Sequence, residues 1–255
     1  MPVPEPVFIR AKPGDVAERA IVVGDPARAR QLADLLEDAR LVNESRGFLT
    51  YTGRFGEQRI TVATHGVGGS SAAGVVEELI MLGSKLIFRL GTTGAFLPGM
   101  RIGDVVVPTG AAYVSGPLLQ YIPDARITPV PSFDVLRATV EELERDGLKY
   151  YVGPVFSSDA FYAEDPEFVR KWVGRGYISV EMECATIFGI CMMRGVKTGA
   201  ALLVSDNLVE HVPMHHAEEL RAHVERVGRA VLRAVSRVDV SQTGQPGSRP
   251  TREEG

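Results

Sequence analysis

Two apolar runs of this chain each empty into glycine with an arginine close by: Val22-Val23-Gly24-Asp25-Pro26-Ala27-Arg28 and Leu86-Ile87-Phe88-Arg89-Leu90-Gly91-Thr92-Thr93-Gly94. A strand that stops at glycine exposes backbone N–H groups that an oxyanion can approach, and a fixed guanidinium adds a charged, two-pronged donor. Together the two segments describe an anion site that suits phosphate, although glycine also serves any strand-to-helix turn. Further along, Glu181-Met182-Glu183 stands where an apolar strand gives way to a helix. Two carboxylates two residues apart on extended chain point the same way, with the methionine turned aside. Carboxylates in an apolar setting need donors, and sugar hydroxyls supply them; the alternative is that Glu181, and less so Glu183, is a helix N-terminal acid satisfying backbone N–H groups. The next run, Leu202-Leu203-Val204-Ser205-Asp206-Asn207, ends in an acid that is either a turn cap or a proton donor aimed at a substrate.

These residues need strands to carry them. The pattern predicts strands at Ala20 to Gly24, Phe48 to Gly53, Gln58 to Thr64, a run ending at Arg89, Asp104 to Pro108, Tyr150 to Ser157, Ile178 to Met182 and Thr198 to Ser205. Helices are expected at Pro26 to Leu36, Ser71 to Leu82, Phe133 to Asp146, Pro166 to Val173, up to about Arg194, and from about Ala217 to Val235. Arg54 to Glu57 reads as a hairpin turn and the proline-rich stretch from Gly116 to Pro131 as loop. Strands alternating with helices predict an α/β chain with a mixed, mostly parallel central sheet flanked by helices on both faces, the hairpin adding antiparallel pairing. Ligands of such sheets sit at the carboxyl ends of strands, where the residues above fall.

A chain of 255 residues with 45% apolar content can fill one core, expected over residues 1–240, with 241–255 as a disordered polar tail. A net charge of −4 and a pI of 5.8 exclude the basic footprint of a nucleic-acid binder. No apolar run reaches the roughly 20 residues of a membrane helix, and Met1 to Pro6 is no signal peptide, so a cytoplasmic location is expected. Cys184 and Cys191 lie about two turns apart on one helix, too far to bridge each other, and read as buried free thiols or as an intersubunit bond. The turn His65-Gly66-Val67-Gly68-Gly69-Ser70 lacks a dinucleotide fingerprint and reads as close packing, with His65 a core or edge histidine. His211, His215 and His216 have no matching acid or cysteine cluster, and no metal is expected.

Taken together, Gly24-Asp25-Pro26-Ala27-Arg28, Asn43-Glu44-Ser45-Arg46-Gly47-Phe48, Arg89-Leu90-Gly91-Thr92-Thr93-Gly94, Phe156-Ser157-Ser158-Asp159-Ala160-Phe161-Tyr162, Val180-Glu181-Met182-Glu183-Cys184-Ala185 and Val204-Ser205-Asp206-Asn207 resemble the hexameric nucleoside phosphorylase family. That family holds purine nucleoside, uridine and archaeal 5′-methylthioadenosine phosphorylases, and the resemblance runs from about Phe8 to Val235. It implies the nucleoside phosphorylase/hydrolase fold and the phosphorolysis of nucleosides, with inorganic phosphate as co-substrate and no cofactor. It further implies that Gly24, Arg28, Arg89 and Thr92 bind phosphate, with Arg46 reaching in from a neighbouring subunit of a homohexamer built as a trimer of dimers. Glu183 would hold the ribose hydroxyls with Met182 against the sugar, Phe161 would stack near the base, Glu181 would line the pocket, and Asp206 would protonate purine N7.

Two departures from the family pattern shape the substrate expectation. Phe8 stands where relatives place a histidine that meets the sugar 5′-hydroxyl; an apolar ring packs a methylthio group instead, which points to 5′-methylthioadenosine. Ala163-Glu164-Asp165-Pro166-Glu167 replaces the glutamine and arginine with which uridine phosphorylases read a pyrimidine. The arginine that assists the acid in some purine enzymes has no clear match, Glu219 falling near its place with Arg221 close by. A uridine phosphorylase, a nucleosidase using water and a nucleoside-binding module without turnover are the competing readings.

Overall fold

The computed structural model describes residues 5–241; the expected tail therefore lies, apart from Ser241, outside the described residues. In chain order the elements are β1 (Arg19–Val23), α1 (Pro26–Ala33), β2 (Glu37–Asn43), β3 (Thr50–Phe55), β4 (Gln58–Thr64), α2 (Gly69–Met81), β5 (Leu86–Ala95), β6 (Val105–Ala112), α3 (Leu118–Tyr121), α4 (Phe133–Arg145), β7 (Tyr150–Ser157), α5 (Pro166–Val173), β8 (Ser179–Glu181), α6 (Cys184–Arg194), β9 (Lys197–Asn207) and α7 (Arg221–Arg237). They form one mixed sheet in the order β2-β3-β4-β1-β5-β8-β7-β6-β9, and β9 also pairs with β5, so the last five strands close on themselves. Five pairings are parallel (β1–β4, β1–β5, β5–β9, β6–β7, β7–β8) and four antiparallel, which gives the sheet its parallel bias.

Both faces are covered because both faces of the central strands are apolar. On one side Val22 and Ile87 pack with Val76 and Leu79 of α2 and Phe188 of α6. On the other, Ile21 and Phe88 pack with Leu32 of α1, Val135 of α4 and Val227 and Val231 of α7. A third cluster seats α5 on the sheet: Phe156 of β7 stacks on Trp172 with ring centroids 3.6 Å apart. That anchor fixes the segment between β7 and α5, whose last residue, Asp165, caps α5 by accepting from the Phe168 N–H at 2.7 Å.

Five expectations need correction. The strand expected to stop at Arg89 runs on to Ala95, because β9 pairs with it at ten positions from Leu86 to Ala95, and Gly91 is therefore no strand-to-helix turn. Its lack of a side chain serves another end: a Cβ there would lie 2.7 Å from the Arg89 guanidinium carbon. The strand β2 is unforeseen, since Glu37-Asp38-Ala39-Arg40-Leu41-Val42-Asn43 is mostly exposed and polar and pairs only with β3 at the sheet edge. The first helix ends at Ala33 rather than Leu36, the chain tightening as the Leu35 and Leu36 N–H groups bond to Leu32 and Ala33. The last helix begins at Arg221, because His216 to Leu220 is a turn held by the Glu219 carboxylate on the His216 N–H. Within the expected loop from Gly116 to Pro131, Leu118–Tyr121 forms a single helical turn. Cys184 and Cys191 are buried free thiols.

Candidate active site

Where β1 and β9 end, beside β8 and the second half of β5, the chain leaves a cleft of about 570 Å³. Its walls carry Gly24, Arg28, Arg89, Thr92, Phe161, Glu181, Met182, Glu183 and Asp206, so nine of the sequence-derived site residues converge on one cavity. Gly24 ends β1, and the Asp25 carboxylate accepts the Ala27 N–H at 2.8 Å to start α1. A Cβ on Gly24 would lie 3.2 Å from the Gly66 carbonyl oxygen, so a side chain there would crowd the close approach of the two turns. The first turn of α1 then delivers Arg28 to the cleft, where its side chain is buried.

Arg89 is the hub. Its Nη2 meets Glu183 Oε2 at 2.5 Å, its Nε donates to Glu181 Oε2 at 3.2 Å, and its Nη1 lies 3.0 Å from His65 Nε2. A guanidinium only donates, so His65 Nε2 accepts and the imidazole is neutral. Burial and then the charge of Arg89 hold His65 well below the usual histidine range. For Arg89 itself burial opposes the charge, but Glu183 and Glu181 overcome it and raise the pKa, so this cation is fixed. Arg28 differs. It forms no hydrogen bond or ion pair among the described residues, and burial, with Arg89 beside it, pulls its pKa down to about 10. One ion-paired guanidinium and one that feels the Asp25 and Glu183 carboxylates only at a distance, both buried on the wall of one cleft, make a site that can take an added anion.

The paired glutamates divide their work. Glu181 has a fully buried side chain and accepts the N–H groups of Glu183 at 2.8 Å and Cys184 at 2.9 Å, capping α6 while orienting Arg89. Ser157 donates its hydroxyl to the other oxygen of Glu181 and accepts the Ala185 N–H. Glu183 gives one oxygen to Arg89 and the other to the Gly68 N–H at 2.6 Å. Burial pushes Glu183 up, against the pull of Arg89. At the far wall Asp206 is half-buried, and burial raises its pKa although Ser205 Oγ donates to Oδ1 at 2.7 Å and opposes the shift. A carboxyl with a raised pKa and only a hydroxyl for a partner can carry a proton and hand it over.

Phe8 and Arg46 do not line this cleft. They meet each other instead: the Arg46 guanidinium lies 5.5 Å from the Phe8 ring centroid, and Phe48 meets the same ring edge-on at 5.9 Å. Glu78 of α2 holds the segment by accepting the N–H groups of Val7, Phe8 and Ile9. Among the described residues no group of His, Cys, Asp and Glu gathers as a metal site, and no helix is long and apolar enough to cross a membrane.

The sequence profile of the family described as "Phosphorylase superfamily" matches residues 18–238. The chain belongs to the phosphorylase superfamily. Among the relatives of this chain, the guanosine phosphorylase of Halorubrum lacusprofundi is 36% identical over 233 residues, covering 88% of this chain and 95% of the relative. A DeoD-type purine nucleoside phosphorylase of Caldanaerobacter subterraneus is 36% identical over 205 residues, covering 80% and 88%. Another from Roseobacter denitrificans is 33% identical over 204 residues, covering 79% and 87%. The site residues that the sequence alone did not single out are the partners: His65 beside Arg89, Ser157 beneath Glu181, Ser205 on Asp206, and Glu164 and Met214 on the cleft wall. Ser157 and Ser205 stand inside motifs already singled out, but nothing local shows which carboxylate each serves.

Proposed function

We propose that this phosphorylase cleaves purine nucleosides, 5′-methylthioadenosine among them, to free base and (5-methylthio)ribose 1-phosphate, as a cytoplasmic enzyme of nucleoside salvage. The observation that carries this reading is polarity along one cavity: Arg28 and Arg89 line it together with Asp206, its pKa raised by burial, and the β5–β9 register sets Asp206 opposite Gly94, five residues along β5 from Arg89. Phosphate bound at the arginines attacks the anomeric carbon as the N-glycosidic bond breaks; the positive charge that builds on the sugar is stabilised by the phosphate and by Glu183. The bonding pair leaves with the base, and Asp206 delivers its proton to N7 so that the base departs neutral. Met182 packs on the sugar and Phe161 on the base. Glu181 acts through Arg89 and α6. The relatives, a guanosine phosphorylase and two purine nucleoside phosphorylases, support the purine part of this reading. The acids Asp206 and Glu164 on the base wall stand against a uridine substrate.

The proposal extends to assembly. Phe8 and Arg46 sit together outside their own cleft, and the family resemblance assigns such residues to a neighbour's site, so the active form is an oligomer, a hexamer built as a trimer of dimers. An apolar Phe8 beside the neighbour's sugar favours a 5′-methylthio group over a hydroxyl. Release of free base from 5′-methylthioadenosine, inosine and uridine in phosphate buffer tests the reading. Cleavage of both purines with 5′-methylthioadenosine favoured is the expected result; preferential cleavage of uridine overturns the purine assignment, and a strong preference for inosine overturns the role given to Phe8.

A further inference from the structure

Glu164 is a half-buried carboxylate that takes no part in the bond-breaking chemistry above. It follows the short turn Phe161–Ala163 and precedes α5, so it shares a segment with the residue assigned to the base. It lines the cleft, and with Asp206 and Met214 it also lines an adjoining cavity of about 600 Å³ bounded by Val169, Val173 and Leu208. These three residues thus form the partition between the two spaces. Among the described residues no cation pairs with Glu164. Arg170 of α5 and His211 after β9 face the adjoining cavity without reaching it, and Arg28 and Arg89 occupy the cleft's opposite end. What does face it is the Ser158 hydroxyl and a second carboxylate, Asp206 of β9.

Two carboxyl groups on one wall with no cation between them are an arrangement that stability alone does not favour. A purine explains it, because N7 and the substituent at position six lie on the same edge of the base. With Asp206 at N7, the neighbouring carboxyl meets position six. That substituent is an acceptor in inosine and guanosine and a donor in adenosine and 5′-methylthioadenosine. We infer that Glu164 reads the six-position of the purine, donating a hydrogen bond to a six-oxo group when protonated and accepting one from a six-amino group when ionised. This rests on the reading of the cleft as a purine nucleoside site.

Burial, reinforced by the charge of Asp206 and opposed by Ser158, pushes Glu164 up to about 7. Both forms are then present near neutrality, which lets one wall serve both classes of purine. Ionisation favours the amino substrate and protonation the oxo substrate, so the ratio of kcat/KM for inosine over adenosine falls as pH rises. The requirement for a proton on Asp206 is common to the two substrates and cancels in the ratio.

The test measures that ratio at pH 6 and pH 8 in phosphate, for the native chain and for Glu164→Gln, whose amide can donate or accept at either pH. The native ratio is expected to fall about tenfold or more across this range, since two pH units move a group of this pKa from mostly protonated to mostly ionised. The glutamine variant is expected to show a ratio that stays flat. A native ratio constant within about twofold, or a variant that keeps the native slope, overturns the assignment of Glu164 while leaving phosphorolysis intact. Cleavage of neither nucleoside in phosphate overturns the purine phosphorylase reading itself, and the inference with it.

Discussion

Replacing Arg28 by methionine should make the unliganded protein more stable and should abolish its response to phosphate. The side chain is only 7% exposed and hydrogen-bonds no carboxylate or carbonyl among the described residues, and burial with the charge of Arg89 outweighs the more distant pull of Asp25 and Glu183. Its pKa of about 10 in the folded chain lies about two to three units below that of a solvated arginine, each unit being worth about 1.4 kcal/mol, so the charged form costs about 3 kcal/mol. The sign follows from the proton count. Above pH 10 the unfolded chain keeps a proton that the folded chain gives up, so stability rises there, and at pH 7 the whole cost is present. Methionine keeps most of the packing stem and removes the charge. For a chain of this size 1 kcal/mol moves Tm by about 2–4 °C, so in phosphate-free buffer the Arg28→Met protein should melt several degrees above the native one. Phosphate at a hundred times its Kd should stabilise the native chain by about 2.7 kcal/mol and leave the variant unmoved. Thermal unfolding with and without phosphate reads both effects. A variant that melts at or below the native temperature without phosphate, or that gains as much from phosphate as the native chain, refutes the claim that a buried guanidinium without an ion pair waits for the anion.

Asp206→Asn should lower purine phosphorolysis by about 10²-fold or more, because asparagine has no acidic proton to deliver; near-normal turnover would remove the acid role. In the native chain activity should fall as pH rises through the raised pKa of Asp206, and Ser205→Ala, which removes the hydrogen bond opposing that shift, should carry activity to higher pH. Glu181→Gln leaves Arg89 with one anionic partner fewer and presents an amide to N–H donors in a fully buried position. Loss of one member of a buried pair costs about 3–5 kcal/mol, so the melting temperature should drop and the KM for phosphate should rise; an unchanged Tm would contradict the hub role of Arg89.

The parts of the fold that were legible in the sequence are those written locally. Asp25 and Pro26 announce α1, Asp165 and Pro166 announce α5, and β7 is bounded as its apolar pattern says. The misread elements depend on partners far away in sequence. Gly91 and Gly94 look like terminators, yet pairing with β9 carries β5 straight through them. The polar run of β2 has no strand pattern of its own and becomes a strand only because β3 offers an edge. The site divides in the same way. Groups that can do chemistry stand out at strand ends by type alone, whereas the groups that orient them, His65, Ser157 and Gly68, reach Arg89, Glu181 and Glu183 from 24, 24 and 115 residues away. Glu78, which clamps the Phe8 segment through three backbone N–H groups, lies on an otherwise ordinary helix face.

The central claim is that phosphate, held by Arg28 and Arg89, is the nucleophile. The most direct measurement is the product formed from inosine by the native chain with and without added phosphate. Hypoxanthine and ribose 1-phosphate in equal amounts, with no release in phosphate-free buffer, is the outcome this account predicts. Release of hypoxanthine and free ribose at an undiminished rate without phosphate would make water the nucleophile and contradict it.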